Sequence, residues 1–159
     1  MHVRSADATE IDQLAQLWFD GWREAHAHLV PPELTRVRTL ESFRDRLHAA
    51  LPDIRVVGAS GAPAGFCIVQ ADELYQLFVS SDARGSGVAA ALLADGEARL
   101  LANGVHTAWL ACAIGNERAA RFYEKSGWRR IGTMINELAT IEGTFLLAVW
   151  RYEKPMTLC

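Results

Sequence analysis

The tetrapeptide Arg84-Gly85-Ser86-Gly87 stands between a stretch rich in β-branched and aromatic residues and a long apolar run. Two glycines at this spacing let a chain turn tightly and bring its backbone close to a ligand. The first free N–H groups of a helix beyond them then point outward, where the helix dipole favours an anion. Arg84 adds a full positive charge at the same spot. This is the chemistry of a pyrophosphate cradle. The string Gly85-Ser86-Gly87-Val88-Ala89-Ala90 also satisfies the dinucleotide pattern G-x-G-x-x-A. Three observations count against that reading. The preceding strands form a meander rather than a first βαβ unit, the next strand-like run (107–114) has no Asp or Glu to hold a ribose, and the chain leaves no room for a substrate domain. A P-loop fails because no Gly-Lys-Ser/Thr follows. The remaining alternative is a turn whose glycines serve only the backbone.

The elements that must position this turn follow from hydrophobic periodicity. A short strand at residues 2–4 precedes a helix at 10–22, whose Ile11, Leu14, Ala15, Trp18 and Trp22 keep helical spacing and which Thr9 can cap. Residues 25–35 contain Pro31-Pro32 and read as a loop. A second helix puts Leu40, Phe43, Leu47 and Leu51 on one face and stops before Pro52. Strands at 54–59, 64–70 and 74–79, split by turn residues, suit an antiparallel meander. After the glycine-rich turn come a helix at 88–102 closed by Asn103-Gly104, a strand at 107–114, and a helix at 116–126 closed by Gly127. Two strands near 131–138 and 144–152 end the chain. This order predicts an α/β architecture, a mixed sheet with helices on both faces.

Composition bounds the rest. A chain of 159 residues, half of them hydrophobic, suits one domain with a real core. No apolar run approaches the roughly 20 residues of a membrane span, and the first residues lack a signal-peptide core, so a cytoplasmic address with no membrane contact is expected. A net charge of −3 without blocks of like charge argues against broad binding to nucleic acid or anionic lipid. Cys67, Cys112 and Cys159 are scattered and odd in number, which disfavours both a disulfide framework and a zinc site. The first two read as small core residues.

The stretch Arg84-Gly85-Ser86-Gly87-Val88-Ala89 resembles the R/Q-x-x-G-x-G/A signature of the GNAT superfamily of N-acetyltransferases, and residues 77–83 look like the strand and loop leading into it. The stretch from Asn116 through Phe122-Tyr123-Glu124-Lys125 to Gly127-Trp128 resembles the family's second hallmark, N-x-x-A-x-x-F-Y-E-K-x-G-F. The hallmarks stand in family order at family spacing, with Ala89 for the commoner glycine and Trp128 for phenylalanine. The implied fold is a single GNAT-like domain over residues 1–159, with a mixed, mostly antiparallel sheet, helices on both faces and a splayed parallel strand pair. The implied activity is transfer of an acetyl group from acetyl-coenzyme A to a small-molecule or peptide amine, by direct attack in a ternary complex. No cysteine lies in either motif to form an acetyl-enzyme. Family analogy also allows a homodimer through the terminal strands. The alternative is a non-catalytic acetyl-CoA-binding regulatory module, and a nicotinamide-dependent reductase ranks below both.

The resemblance assigns roles residue by residue. Backbone groups near Leu77, Phe78 and Val79 would pair with the pantetheine arm, and one N–H there would face the thioester oxygen. N–H groups of Arg84, Gly85, Ser86, Gly87, Val88 and Ala89 would hold the pyrophosphate. Asn116 would orient the pantetheine, although Asn before a helix is equally a routine N-cap. Phe122 shares a face with Ala119 and suits the core, whereas Tyr123, about 100° further round the helix, would point to the sulfur. Glu73 opens the strand where relatives often keep a general base, and a solvated strand-end carboxylate is the competing reading. His26 and His28 fall in the loop that covers the acceptor in relatives. Strict alternation would put Glu73, Tyr75, Leu77 and Val79 on one face, with Glu73 about 13 Å from Leu77 at ~3.3 Å per residue. That exceeds the ~2.6–3.2 Å of direct proton abstraction, so Glu73 would work through water, with Tyr75 lining the path.

Overall fold

Apolar periodicity sorts the chain onto the two sides of one sheet in the computed structural model, which describes residues 1–157. Cys159 lies outside the described residues. The elements run β1 (Val3–Ser5), α1 (Ile11–His26), α2 (Pro32–Val37), α3 (Leu40–Ala50), β2 (Ile54–Val57), β3 (Gly65–Gln70), β4 (Glu73–Val79), α4 (Val88–Ala102), β5 (Thr107–Ala113), α5 (Glu117–Lys125), β6 (Arg129–Thr140) and β7 (Gly143–Pro155). The strands form a seven-stranded sheet in the order β1-β2-β3-β4-β5-β7-β6. Every neighbouring pair is antiparallel except β4 and β5. This is the α/β sheet that the order of predicted elements implied.

One face carries α1, α2 and α3, whose Leu14, Trp18, Leu34, Phe43 and Leu47 pack against Ile54, Phe66 and Ile68. The opposite face carries α4 and α5, with Leu92, Leu100 and Ala120 against Cys67, Leu110 and Tyr152. β3 is buried on both sides, as a strand inside a doubly covered sheet must be. Cys67 and Cys112 sit in the core as small apolar residues, and burial pushes both thiols up to about 12. No helix among the described residues is long and apolar enough to cross a membrane.

Two local expectations change. Asp7, not Thr9, caps the first helical turn. Its carboxylate accepts from the Thr9 N–H at 3.0 Å, and Glu10 reaches back to the Asp7 N–H at 3.0 Å. The stretch 25–35 is not one loop, because α1 runs on through His26 and α2 begins at Pro32. Proline at the first helical position loses no hydrogen bond and brings its φ already set, so Pro31-Pro32 starts a helix instead of preventing one.

Two irregularities shape the centre of the sheet. β4 and β5 pair only at Glu73↔Trp109, supported by the Trp109 N–H on the Asp72 carbonyl at 3.1 Å, and beyond that point they separate. β4 also bulges against β3, since Ile68 opposes Gln76 while Val69 opposes Leu74, leaving Tyr75 as the extra residue. The bulge overturns the expected alternation. Leu77 and Val79 pack on the α4 side, whereas Tyr75 and Phe78 pack on the α1–α3 side.

Candidate functional site

Where β4 and β5 part, the sheet holds a cavity of ≈ 470 Å³. Leu77, Phe78 and Val79 form its β4 wall. Arg84, Gly85, Gly87, Val88 and Ala89 border it from the turn and the start of α4, and Asn116 and Tyr123 border it from the α5 side. A smaller cavity of ≈ 110 Å³ adjoins it on the α1–α3 side, sharing His26, Tyr75 and Gln76 as common wall. Glu73 lines this second cavity and not the first.

The turn is built as its glycines require. Gly85 and Gly87 have φ of +76° and +89°, in the left-handed region that side-chain-bearing residues avoid. A Cβ at Gly85 would meet no atom within 4 Å, so backbone conformation rather than space calls for glycine there. The first helical bond of α4 is from the Ala91 N–H to the Gly87 carbonyl, at 3.0 Å. The N–H groups of Val88, Ala89 and Ala90 therefore precede any helical acceptor. Ser86 does not border the cavity, and both its N–H and its hydroxyl donate to the Ala83 carbonyl. The Arg84 N–H likewise turns to the Ser81 carbonyl, at 3.4 Å.

The family model for acetyltransferase (GNAT) matches residues 11–128, a span that holds the turn, the splayed strands and α5. The chain belongs to the GNAT family. Among solved structures it is similar to a GCN5-related N-acetyltransferase from Rhodopseudomonas palustris, with a TM-score of 0.74 at 20% identity over 97% of this chain and 94% of that one. An N-acetyltransferase from Staphylococcus aureus Mu50 gives 0.73 at 18% identity, covering 98% of each chain. The PaiA N-acetyltransferase of Thermoplasma acidophilum, solved in complex with coenzyme A, gives 0.67 at 18% identity over 97% and 98%. These likenesses establish a common fold. Comparison with curated proteins finds no match.

In this GNAT chain the charged residues of the site are unevenly prepared. The Arg84 guanidinium donates to Glu24 at 2.6 Å on an exposed rim, and Arg118 approaches the same carboxylate at 3.7 Å. The Arg84 hydrogen bond holds the Glu24 carboxyl below its usual range. Asn116 is an N-cap, its side-chain oxygen accepting from the Ala119 N–H at 3.3 Å, and it borders the large cavity as well. Tyr123 packs its ring against Phe122, Trp128 and Tyr152, and burial raises its phenol above the ordinary tyrosine value. Phe122 also borders the cavity rather than serving the core alone.

On the smaller cavity, burial pushes the Glu73 carboxyl up to about 7, with neighbouring Asp72 acting in the same direction and Arg151 opposing. His26 belongs to the end of α1, not to a loop. Burial and nearby His28 lower it to about 4, so its imidazole is neutral at pH 7. Its Nδ1 is buried without a hydrogen-bond partner. His28 is exposed and borders neither cavity. Sequence reasoning missed Arg38 and Arg46, which line the smaller cavity from the residue just after α2 and from α3. No signal in the sequence marks Arg38, which directly follows the last residue of α2 and leaves the helical conformation at φ −89° and ψ 68°.

Proposed function

We propose that this acetyltransferase takes its acetyl group from acetyl-coenzyme A and passes it to an amine by direct attack in a ternary complex. The observation that carries the reading is the opening between β4 and β5. It joins a cavity edged by unpaired helix N–H groups to a second cavity edged by a carboxylate of raised pKa. The pantetheine arm lies along the β5-facing edge of Leu77, Phe78 and Val79 as an added strand would, and an N–H there polarises the thioester carbonyl. Gly85, Gly87, Val88 and Ala89 hold the pyrophosphate through their N–H groups. The N–H groups of Arg84 and Ser86 are committed inside the turn, and their part is to shape it. Asn116 orients the pantetheine from the head of α5.

The acceptor amine approaches from the smaller cavity. An aliphatic ammonium with a pKa near ~10 must lose a proton before it attacks. Glu73 accepts that proton through water, which requires its carboxylate form. With a pKa of about 7, kcat/KM therefore rises as pH rises through that value. The amine nitrogen bonds to the carbonyl carbon, the carbon–sulfur bond breaks, and coenzyme A leaves as a thiolate. Reference pKa values of ~10 and ~8.5 make full proton transfer from a tyrosine to a thiolate uphill by about 2 kcal/mol. Burial raises the Tyr123 phenol further, so Tyr123 donates a hydrogen bond to the sulfur and keeps its proton. A homodimer through the terminal strands belongs to the same proposal. It is supported by the edge position of β6 and by Ile131, Ile135 and Leu146, which are 55, 59 and 61% exposed.

Calorimetric titration with acetyl-CoA, paired with a free-thiol assay over a panel of amines, tests the reading. Binding and turnover are expected. Tyr123→Phe lowers kcat by about 10-fold or more, with an unchanged acetyl-CoA Kd, as loss of an interaction made only in the transition state does. Binding without turnover of any amine would assign the chain to non-catalytic acetyl-CoA modules.

A further inference from the structure

The smaller cavity contains a charge that no carboxylate among the described residues neutralises. Arg38 is 4% exposed, and among the described residues its single side-chain hydrogen bond runs from Nη1 to the neutral Ala139 carbonyl at 3.0 Å. A guanidinium has five donors, and burying its charge without a counter-charge is costly. Arg4 shows what this protein does elsewhere, since its buried partner Glu10 accepts from it at 2.8 and 2.9 Å. No carboxylate among the described residues comes within salt-bridge distance of Arg38. Beside it stands Arg46, which donates to the Tyr75 hydroxyl at 2.8 Å and lies 4.3 Å over the Trp18 ring, also without a carboxylate partner among the described residues. Burial and the charge of Arg46 lower Arg38 only to about 10, so Arg38 is cationic at neutral pH. Glu73 lines the same cavity but pairs with neither arginine, and Arg151 favours its ionised form.

We propose that the acceptor carries a carboxylate a few bonds from its reacting amine, as a small α-amino acid does, and that Arg38, seconded by Arg46, binds that carboxylate while the amine faces Glu73. The inference rests on the acetyltransferase reading above. A planar guanidinium matches a carboxylate in bidentate fashion, supplying the counter-ion that the protein omits. A purely cationic acceptor would instead place its charge against two guanidiniums in a cavity of ≈ 110 Å³. That volume suits a small molecule.

The test compares matched acceptors, several small α-amino acids each set against its amide and its decarboxylated amine, alongside acetyl-CoA titration by calorimetry. The acid is expected to be preferred by about 100-fold or more in kcat/KM, because a site built around a buried donor rejects the analogue that leaves it unpaired. Arg38→Gln removes that preference without altering acetyl-CoA affinity. Arg46→Gln, at a less buried position, reduces it and keeps the test available if the first variant fails to fold. Equal use of the amides or amines, or no turnover of any carboxylate-bearing member, overturns the proposal and leaves the acetyltransferase reading intact if acetyl-CoA binds. Failure to bind acetyl-CoA overturns both.

Discussion

The larger cavity takes its polar character from the backbone of one continuous segment, the turn and the first residues of α4, supplemented by α5. The smaller one takes its character from side chains, with Arg46, Glu73 and Asn136 arriving from three separate elements and Arg38 from the residue just after α2. Backbone donors at a helix start depend on φ and chain direction and tolerate many side chains. A pocket made of side chains depends on every residue that contributes one. The difference teaches that the first cavity is suited to a ligand that stays the same and the second to one that can change.

Substitution at Glu73 sharpens this contrast most. Glu73→Gln should lower kcat/KM at neutral pH by about 10²–10⁴-fold, with partial recovery at high pH, where more amine is already neutral. Acetyl-CoA affinity, measured by calorimetry, should not move. Stability responds in its own direction. The folded pKa of about 7 lies above the ordinary 4.5, so the protonated form favours the fold, and its contribution is lost as pH rises through 7. Thermal melts of Glu73→Gln across pH 4 to 8 should lack that decline. A loss of acetyl-CoA affinity in this variant would mean that the two cavities are not separable.

A smaller effect is expected at the turn. Gly87→Ala forces a Cβ into the left-handed region, at a cost of roughly 1–2 kcal/mol, and should weaken acetyl-CoA by distorting its cradle. Gly143→Ala, at φ +103° between β6 and β7, imposes comparable strain in a hairpin that does not border the larger cavity and should leave the affinity alone. Equal acetyl-CoA affinity in both variants would remove the cradle from the turn. The smallest effect belongs to Arg84→Ala. An exposed guanidinium already paired with Glu24 contributes less than about 1 kcal/mol to ligand binding. A calorimetric loss several times larger would show that Arg84 leaves Glu24 for the ligand.

Legibility in the sequence follows the same division. The sheet, its helices and the glycine-rich turn were readable because each is encoded by adjacent residues with a recognisable period or spacing. α2 escaped because Pro31-Pro32 is read as a breaker when its position makes it an initiator. The bulge at Tyr75 escaped for a deeper reason. Glu73-Leu74-Tyr75-Gln76-Leu77-Phe78-Val79 contains no glycine to announce it, and only pairing with β3 shows which residue is extra. His26 was noticed for its chemistry but misplaced, because the end of α1 was set too early. Arg38 and Arg46 are unremarkable in the chain, and only the folding of α2 and α3 against the sheet turns them toward Glu73.

A sheet usually works as a partition, and the parting of β4 from β5 makes this one a wall with a doorway. Under the proposed function, the acetyl donor and the acceptor would reach the doorway from different rooms, and neither would have to pass through the other's place to arrive or depart. Access would then impose no order on the two substrates. Either could wait for its companion, and a spent coenzyme A could be exchanged while an acceptor stayed seated.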